Sequence, residues 1–491
     1  MTRIFSSLLI FCVCCSLFAQ HNIIPQPFSF KTKQEVFVLD ENVGFISSIN
    51  NSEASRFLQR QISMITGYTL LNKTSNRNIW LTLLPQDSLQ SNEAYFLSVK
   101  KDSIVINAFT EKGLAHGIQS LLILFDKNKS CFLGCDIFDK PQYAYRAMHL
   151  DVCRHFFGKE VVKQYIGLLA ALKMNTLHLH LTDDQGWRVE IKKYPRLTEV
   201  GAWRIEKDGS RYGGYFSQSD LKELVDFAAQ RHINIIPEIE LPGHASAAIA
   251  AYPFLSCSGK EIDVPNTWGI KQDIFCPTDS TLRFLKDVLD EVCDIFPSPF
   301  IHIGGDEVPK AQWKKSAFVS DLMRAKSFKN YDAVQQYFMN EIENHLAAKG
   351  RRAIGWGEVM KSGVNKNIIV MSWLSKTAGN KAIKNGNATI MAPRFYCYFD
   401  YPRSSKDKLQ AIWMTPVPLK KVYKFNPAGK NVSTENKHLL LGGEAAVWTE
   451  YITNEKQLLY QVMPRLAAMS EALWSNEKNY DDFLRRINSL K

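Results

Sequence analysis

The chain has 491 residues, 45% of them hydrophobic and 22% charged, which is an ordinary globular composition with room for two or three domains and a large core. Its formal charge of +11 comes from Lys and Arg scattered along the chain, except for a denser stretch around Lys406 to Lys424. With no recognition motif beside that charge, it reads as a solvated surface and argues against a nucleic-acid partner.

In chain order, the first segment is "MTRIFSSLLIFCVCCSLFAQ": Arg3, an apolar run, then small residues up to Ala19. This predicts an export signal over residues 1–20, cleaved near Ala19 or Gln20, and a periplasmic or extracellular protein. Lipid anchoring through Cys14 or Cys15 is the lesser alternative, because the residue before each is Val13 or another Cys. No later apolar run is long enough to span a membrane. Seven cysteines follow the signal, so at least one is free or pairs with another chain. Cys257 and Cys276 bracket a polar, Gly- and Pro-containing loop and are the best disulfide candidate. The spacings fit no common zinc pattern.

Residues 21–140 read as a small α+β domain. "FLSVKKDSIVINAF" alternates like an antiparallel hairpin. "SEASRFLQRQISMITG" and "EKGLAHGIQSLLILF" have helical spacing, each opening at or just after a Ser or Thr. From 141 to 491 the rhythm changes to short apolar strands separated by helical stretches such as Ser219 to Arg231 and Thr281 to Asp294. Strands are expected to start near Tyr145, Asn175, Ile233, Phe300, Ala353, Ile368, Thr389 and Leu439. Eight strands alternating with helices over this length predict an α/β chain whose second domain is a (β/α)₈ TIM barrel. The active face of such a barrel lies at the C-terminal strand ends. Those ends carry Asp151, "HLTDDQGWR", "PEIELPGH", "GGDE", "GWGE", Trp373, and Glu444 with Trp448.

"HIGGDE", His302 to Glu307, places two adjacent acids after two glycines. A regular strand would send Asp306 and Glu307 to opposite faces, so a shared site needs a backbone turn. Paired rim acids fit glycoside hydrolysis, metal-dependent enolisation or a structural ion network. Abundant Trp suits the flat apolar faces of sugar rings. Adjacent acids are poorly placed for an acid and a nucleophile on opposite sides of a scissile bond. They suit a division in which Glu307 protonates the leaving oxygen and Asp306 orients a nucleophile carried by the substrate, such as a 2-acetamido group. On that reading the neighbouring charge and partial burial raise the pKa of Glu307.

Seven motifs, "YRAMHLDVCRHF", "MNTLHLHLTDDQGWRVEI", "PEIELPGHASAA", "HIGGDE", "GWGE", "YFD" and "GGEAAVWTE", occur in order from about Ile24 to Trp474. The chain thereby resembles glycoside hydrolase family 20, the β-N-acetylhexosaminidases. The resemblance implies an exo-acting, retaining enzyme that removes terminal β-linked GlcNAc or GalNAc by substrate assistance through an oxazolinium, with no cofactor and no metal. It implies Glu307 as general acid/base and Asp306 as the acetamido-orienting residue. Tyr398 would hydrogen-bond the acetamido oxygen, Arg146 would hold hydroxyls at the non-reducing end, and Asp400 and Glu450 would contact outer hydroxyls. Trp356, Trp373 and Trp448 would wall the pocket, with Asp184 and His244 supporting the acids. His178 and His180 alternate with leucines and are expected in the core.

Three rivals stay open at this point. A metal-dependent lyase or isomerase would use Asp184, Glu238, Asp306 and Glu307 as ligands. A sugar-binding protein on an inactive barrel would ordinarily lack the acid. Release of a disaccharide would need a wider pocket. The basic stretch from Tyr401 to Lys437 either lines the entrance or is surface, and the oligomeric state is left open.

Overall fold

The computed structural model describes residues 21–50, 52–85, 91–363, 365–407, 414–429 and 432–489. The expected export signal lies outside them. Among the described residues no helix is long and apolar enough to cross a membrane.

The N-terminal part is a seven-stranded mixed sheet. Its main path runs Ser29–Val38, Cys131–Asp139, Tyr95–Val99, Ser103–Ala108, Asn78–Leu83, Gly44–Ser47. Tyr95–Val99 and Ser103–Ala108 form the antiparallel hairpin expected from their alternation. Alternate residues such as Leu97, Val99, Ile104 and Ile106 are buried against two helices, Glu53–Thr66 and Glu111–Ile123. Each helix starts where a hydroxyl caps it. The Ser52 side chain accepts from the Ser55 amide and the Thr110 side chain from the Gly113 amide, which satisfies otherwise unpaired first-turn donors.

The rest is a closed barrel of eight parallel strands: Tyr145–Asp151, Thr176–His180, Asn234–Leu241, Phe300–Gly304, Arg352–Trp356, Ile369–Ser372, Thr389–Met391 and Leu440–Ala445, the last pairing with the first. The period of two sends alternate side chains into the barrel. Tyr145, Ala147, Ile236, Ile354, Ile369, Met371 and Ile390 form an inner apolar layer. The next positions along the strands carry His149, His178, His180, Glu238, His302 and Glu444, all fully buried. His178 bridges Glu444 at 2.8 Å and Glu238 at 3.2 Å, and His302 bonds Glu238 at 2.6 Å. The two histidines read from sequence as core residues are therefore core residues, satisfied by carboxylates rather than by apolar packing.

The two parts are joined beneath the barrel, at the N-terminal strand ends. Trp474, closing the helix Arg465–Trp474, packs in the small domain's core and donates its indole N–H to Asp139 at 2.7 Å. Asp139 also takes Lys173 Nζ at 2.8 Å. Arg146, second residue of the first barrel strand, bonds Glu93 of the small domain at 2.6 and 2.9 Å and the carbonyls of Tyr143 and Lys173.

Candidate active site

At the opposite end of the barrel a cavity of about 310 Å³ is lined by residues from the ends of seven strands, the exception being the fifth. The fourth strand contributes the acid pair. Gly304 has φ 59°, Gly305 φ 99° and Glu307 φ 45°, so the backbone leaves the strand direction at once. Glycine is required twice over: a Cβ at Gly304 would overlap the Glu240 carboxyl, and one at Gly305 would come within 2.6 Å of Val359. This turn brings both acids to one cavity, which a straight strand could not do. Asp306 lies deeper, its side chain 13% exposed against 36% for Glu307.

His244 stands behind the pair. Its Nε2 lies 3.6 Å from Glu307 and 3.8 Å from Asp306, and its Nδ1 lies 3.3 Å from both Asp183 and Asp184. Burial opposes a charge on this imidazole. The Asp183 carboxylate, helped by Asp184 and Glu307, nevertheless lifts its pKa well above the ordinary value. Asp184 also accepts from the Ser246 amide at 3.1 Å and its hydroxyl at 2.6 Å, which fixes the turn that carries His244.

The electrostatics of the pair run opposite to the sequence expectation. The His244 hydrogen bond holds the Glu307 pKa below its usual range, whereas burial, with Glu358 and Glu307 nearby, pushes Asp306 up to about 7. The reason is the cation: it sits against the exposed acid, and the deeper one bears more of the desolvation cost. Glu240, buried beside Asp306, is raised well above the carboxylate range, first by burial and then by Asp306.

The walls are aromatic. Trp373 and Tyr398 stack with ring centroids 6.2 Å apart, and Trp448 lies 6.3 Å from Tyr398. Glu358 accepts the Trp373 indole N–H at 2.8 Å. Trp356 is not part of the wall. It is the last residue of its strand, still inside the barrel, where its indole N–H donates to Glu238 at 2.8 Å beneath the cavity. Asp400 and Glu450 both line the cavity, and burial raises both pKa values. The Trp448 amide approaches Asp400 at 3.5 Å.

Arg146 is a correction. It is fully buried at the far end of the barrel, paired with Glu93, and does not reach the cavity. The guanidinium in the cavity is Arg154, in the loop after the first strand, held by Asp183 at 2.7 Å and Asp151 at 3.3 Å. Sequence reasoning also missed Asp183, Glu240, Arg394 and Tyr401 as lining residues. Arg154 had a usable signal: it follows the C-terminal end of a strand whose N-terminal end carries Arg146, and only the C-terminal end faces the site. Asp183 had none that separated it from its neighbour Asp184. From the basic stretch, Tyr401 and Met414 line the cavity, while residues 408–413 and 430–431 lie outside those described.

The four-carboxylate metal set is not brought together, because Glu238 belongs to the histidine cluster below. His244, Asp306 and Glu307 do bring ligand atoms within 4.8 Å of one another, as do Asp183, Asp184 and His244. Cys257 and Cys276 form a disulfide, and the other five described cysteines are free and buried.

Compared with known proteins, residues 143–477 match the glycosyl hydrolase family 20 catalytic domain and residues 20–140 match domain 2 of that family. A β-hexosaminidase of Porphyromonas gingivalis is 35% identical over 95% of this chain, which spans 62% of that relative's length. The crystal structure of a family 20 exo β-N-acetylglucosaminidase from Vibrio harveyi, in complex with N-acetylglucosamine, superposes with a TM-score of 0.87 at 33% identity, over 95% of this chain and 76% of that one. An N-acetyl-β-hexosaminidase from Streptomyces plicatus, in complex with Thio-NAglucal, gives 0.82 at 29% identity, over 95% and 93%.

Proposed function

The chain belongs to glycosyl hydrolase family 20, and from that premise we propose that it is an exported, exo-acting β-N-acetylhexosaminidase that removes a terminal GlcNAc or GalNAc with retention, through an oxazolinium. The single observation that carries this reading is the turned acid pair: Glu307 toward the mouth, and Asp306 deeper in a cavity walled by Tyr398, Trp373 and Trp448. The relatives' names and bound sugar support the substrate class.

In the proposed reaction Glu307 gives its proton to the glycosidic oxygen as the C1–O bond breaks. The acetamido carbonyl oxygen attacks C1 from the other face. Asp306 accepts the acetamido N–H and offsets the positive charge that spreads over the ring being formed. The Tyr398 hydroxyl, close enough for the Asp306 charge to act on it, donates to the carbonyl oxygen and holds it in line. Glu307, now ionised and favoured in that form by His244, takes a proton from the water that opens the oxazolinium, restoring the β configuration. Arg154, Asp400 and Glu450 would hold the outer hydroxyls, the guanidinium fork suiting two neighbouring oxygens.

The productive state needs the proton on Glu307, while the free site favours Asp306. A bound sugar supplies the transfer. Its N–H favours ionised Asp306, and its ring shields Glu307 from water and raises that pKa. A cavity of about 310 Å³ lies at the small end of ligand pockets, which supports one sugar residue over a disaccharide. The test is a panel of nitrophenyl glycosides: β-GlcNAc, β-GalNAc, β-glucose and lacto-N-biose. Hydrolysis of the β-GlcNAc and β-GalNAc substrates alone is expected. Comparable turnover of the β-glucoside, or a fluorosugar trapped on any carboxylate, would overturn substrate assistance.

A further inference from the structure

Arg154 is pulled by two carboxylates, Asp183 and Asp151, on its two terminal nitrogens. Its Nε donates to Gln185 Oε1 at 3.1 Å, which leaves the second N–H of each terminal nitrogen for a ligand. Gln185 is buried, and its amide nitrogen donates to the Thr267 carbonyl at 2.9 Å. One amide that accepts from a guanidinium and donates to a carbonyl has a single orientation, so the link is directional. Thr267 lies in the middle of the loop closed by the Cys257–Cys276 disulfide. The same loop reaches Arg154 by a second route. Its Trp268 ring lies 5.4 Å from the Arg204 guanidinium, and Arg204 donates to the Arg154 carbonyl at 2.8 Å. The loop's neighbour Asn266 donates to the Ile205 carbonyl at 2.7 Å. At the loop's end, the Phe275 amide donates to the Pro242 carbonyl at 2.9 Å, two residues before His244. Residues 258–274 contain no helix or strand, so the covalent closure and these few contacts together limit the loop's wandering.

We propose that Gln185 is a positioning residue for Arg154, and that the disulfide-closed loop, through Gln185 and Arg204, sets how tightly the site holds the sugar's outer hydroxyls. The proposal rests on the reading of Arg154 as the sugar-binding guanidinium. Its physical content is preorganisation: a fork fixed before binding loses less freedom when the hydroxyls arrive, and the gain falls on ground state and transition state alike.

The experiment uses the full chain with KM and kcat on nitrophenyl β-GlcNAc and the inhibition constant of free GlcNAc. Gln185→Leu and the pair Cys257→Ser with Cys276→Ser should each raise KM and the GlcNAc constant roughly 10-fold, with kcat nearly constant. Combining all three should cost more than Gln185→Leu alone, because the Arg204 route also depends on the loop, but less than the product of the two effects, because the Gln185 link is common to both. Gln185→Glu keeps an acceptor for the Arg154 Nε but loses the donor to Thr267, so its KM should fall between wild type and Gln185→Leu, a graded recovery that a merely structural role would not give. Thermal midpoints report whether each variant folds. Unchanged KM at Gln185→Leu, losses in kcat alone, or fully multiplicative losses would overturn the proposal. Arg154→Met with wild-type KM would sink the reading of Arg154 itself. A large loss at Arg154 with none at Gln185 would sink the linkage alone.

Discussion

The two ends of the barrel are both crowded with buried charge, and they differ in how that charge is matched. At the lower end Arg146 meets Glu93 and Lys173 meets Asp139, each pair closed by further hydrogen bonds. At the upper end the cavity holds six acids, Asp183, Glu240, Asp306, Glu307, Asp400 and Glu450, against Arg154, Arg394 and His244. Glu240 Oε2 and Asp306 Oδ1 have no hydrogen-bond partner there. Saturated ion pairs fix one part of a protein to another. Unmatched carboxylates keep proton affinities that a reaction can use. Burial or charge density alone would not have separated the two ends.

The largest expected effect comes from the upper end. Glu307→Gln keeps the shape and removes the proton donor, and should slow cleavage of a natural disaccharide by about 10²–10⁴. An activated nitrophenyl substrate should suffer less at the first step. Near-normal turnover of the disaccharide would break the contrast, since the upper acids would then be no more reactive than the lower ones.

The two arginines sharpen it next. Arg146→Met strips the buried guanidinium from Glu93, leaving it Lys112 and His116, and should lower stability by about 3 kcal/mol, measured by denaturant unfolding, while the KM of the folded fraction stays put. Arg154→Met should instead raise KM, with a smaller loss of stability because Asp183 keeps His180 and His244 and Asp151 keeps the Cys153 and Thr449 amides. An exchange of these outcomes would return the sugar-holding role to Arg146.

Asp306→Asn should cost about 10² in rate with a smaller effect on binding, because the charge is needed most in the transition state. Tyr398→Phe should cost less, since a neutral donor is lost. The double variant should be less impaired than the product of the two, as both act on one acetamido group. Multiplicative losses would show that they act apart.

The smallest effect is on the pH profile. The acid pair keeps one proton between the lowered pKa of Glu307 and about 7 at Asp306. That proton is lost as pH rises through about 7, so kcat/KM should fall there with an apparent pKa belonging to the pair. Saturating substrate should move this limb of kcat upward. Asp306→Asn should remove it from the free enzyme. A kcat/KM level up to pH 9 would contradict the shared proton.

Much of the fold was legible because the strands are short apolar runs separated by amphipathic helices. All eight predicted barrel strands start within one residue of their observed positions. The hairpin Tyr95–Val99 with Ser103–Ala108, and the two capped helices beside it, were equally plain in alternation and caps. The site was legible where a residue type carried its own chemistry, as at Asp306 and Glu307, while Tyr398 was reached only through the family resemblance. It was illegible where the outcome depended on depth along a strand. Arg146 sits at the start of the strand that Arg154 follows and was read in its place, and Trp356 differs from Trp373 only by ending its strand inside the barrel. The ordering of the two acids' pKa values was hidden for a similar reason, since it is set by His244, some sixty residues away along the chain.

Trp474 gives the architecture a temporal side. The small domain is made before the barrel, yet its core is completed by an indole 335 residues after Asp139, and the barrel closes only when Leu440–Ala445 pairs with Tyr145–Asp151. Two long-range closures thus wait on residues 440–474, far along the chain from the elements they complete. Until they arrive, the nascent chain exposes a sheet with an unfinished apolar face and a barrel with two open edges, both liable to pair with other chains. Folding of both parts is in this sense deferred until Trp474 has been made, and a ribosome that stops short of it leaves neither part finished.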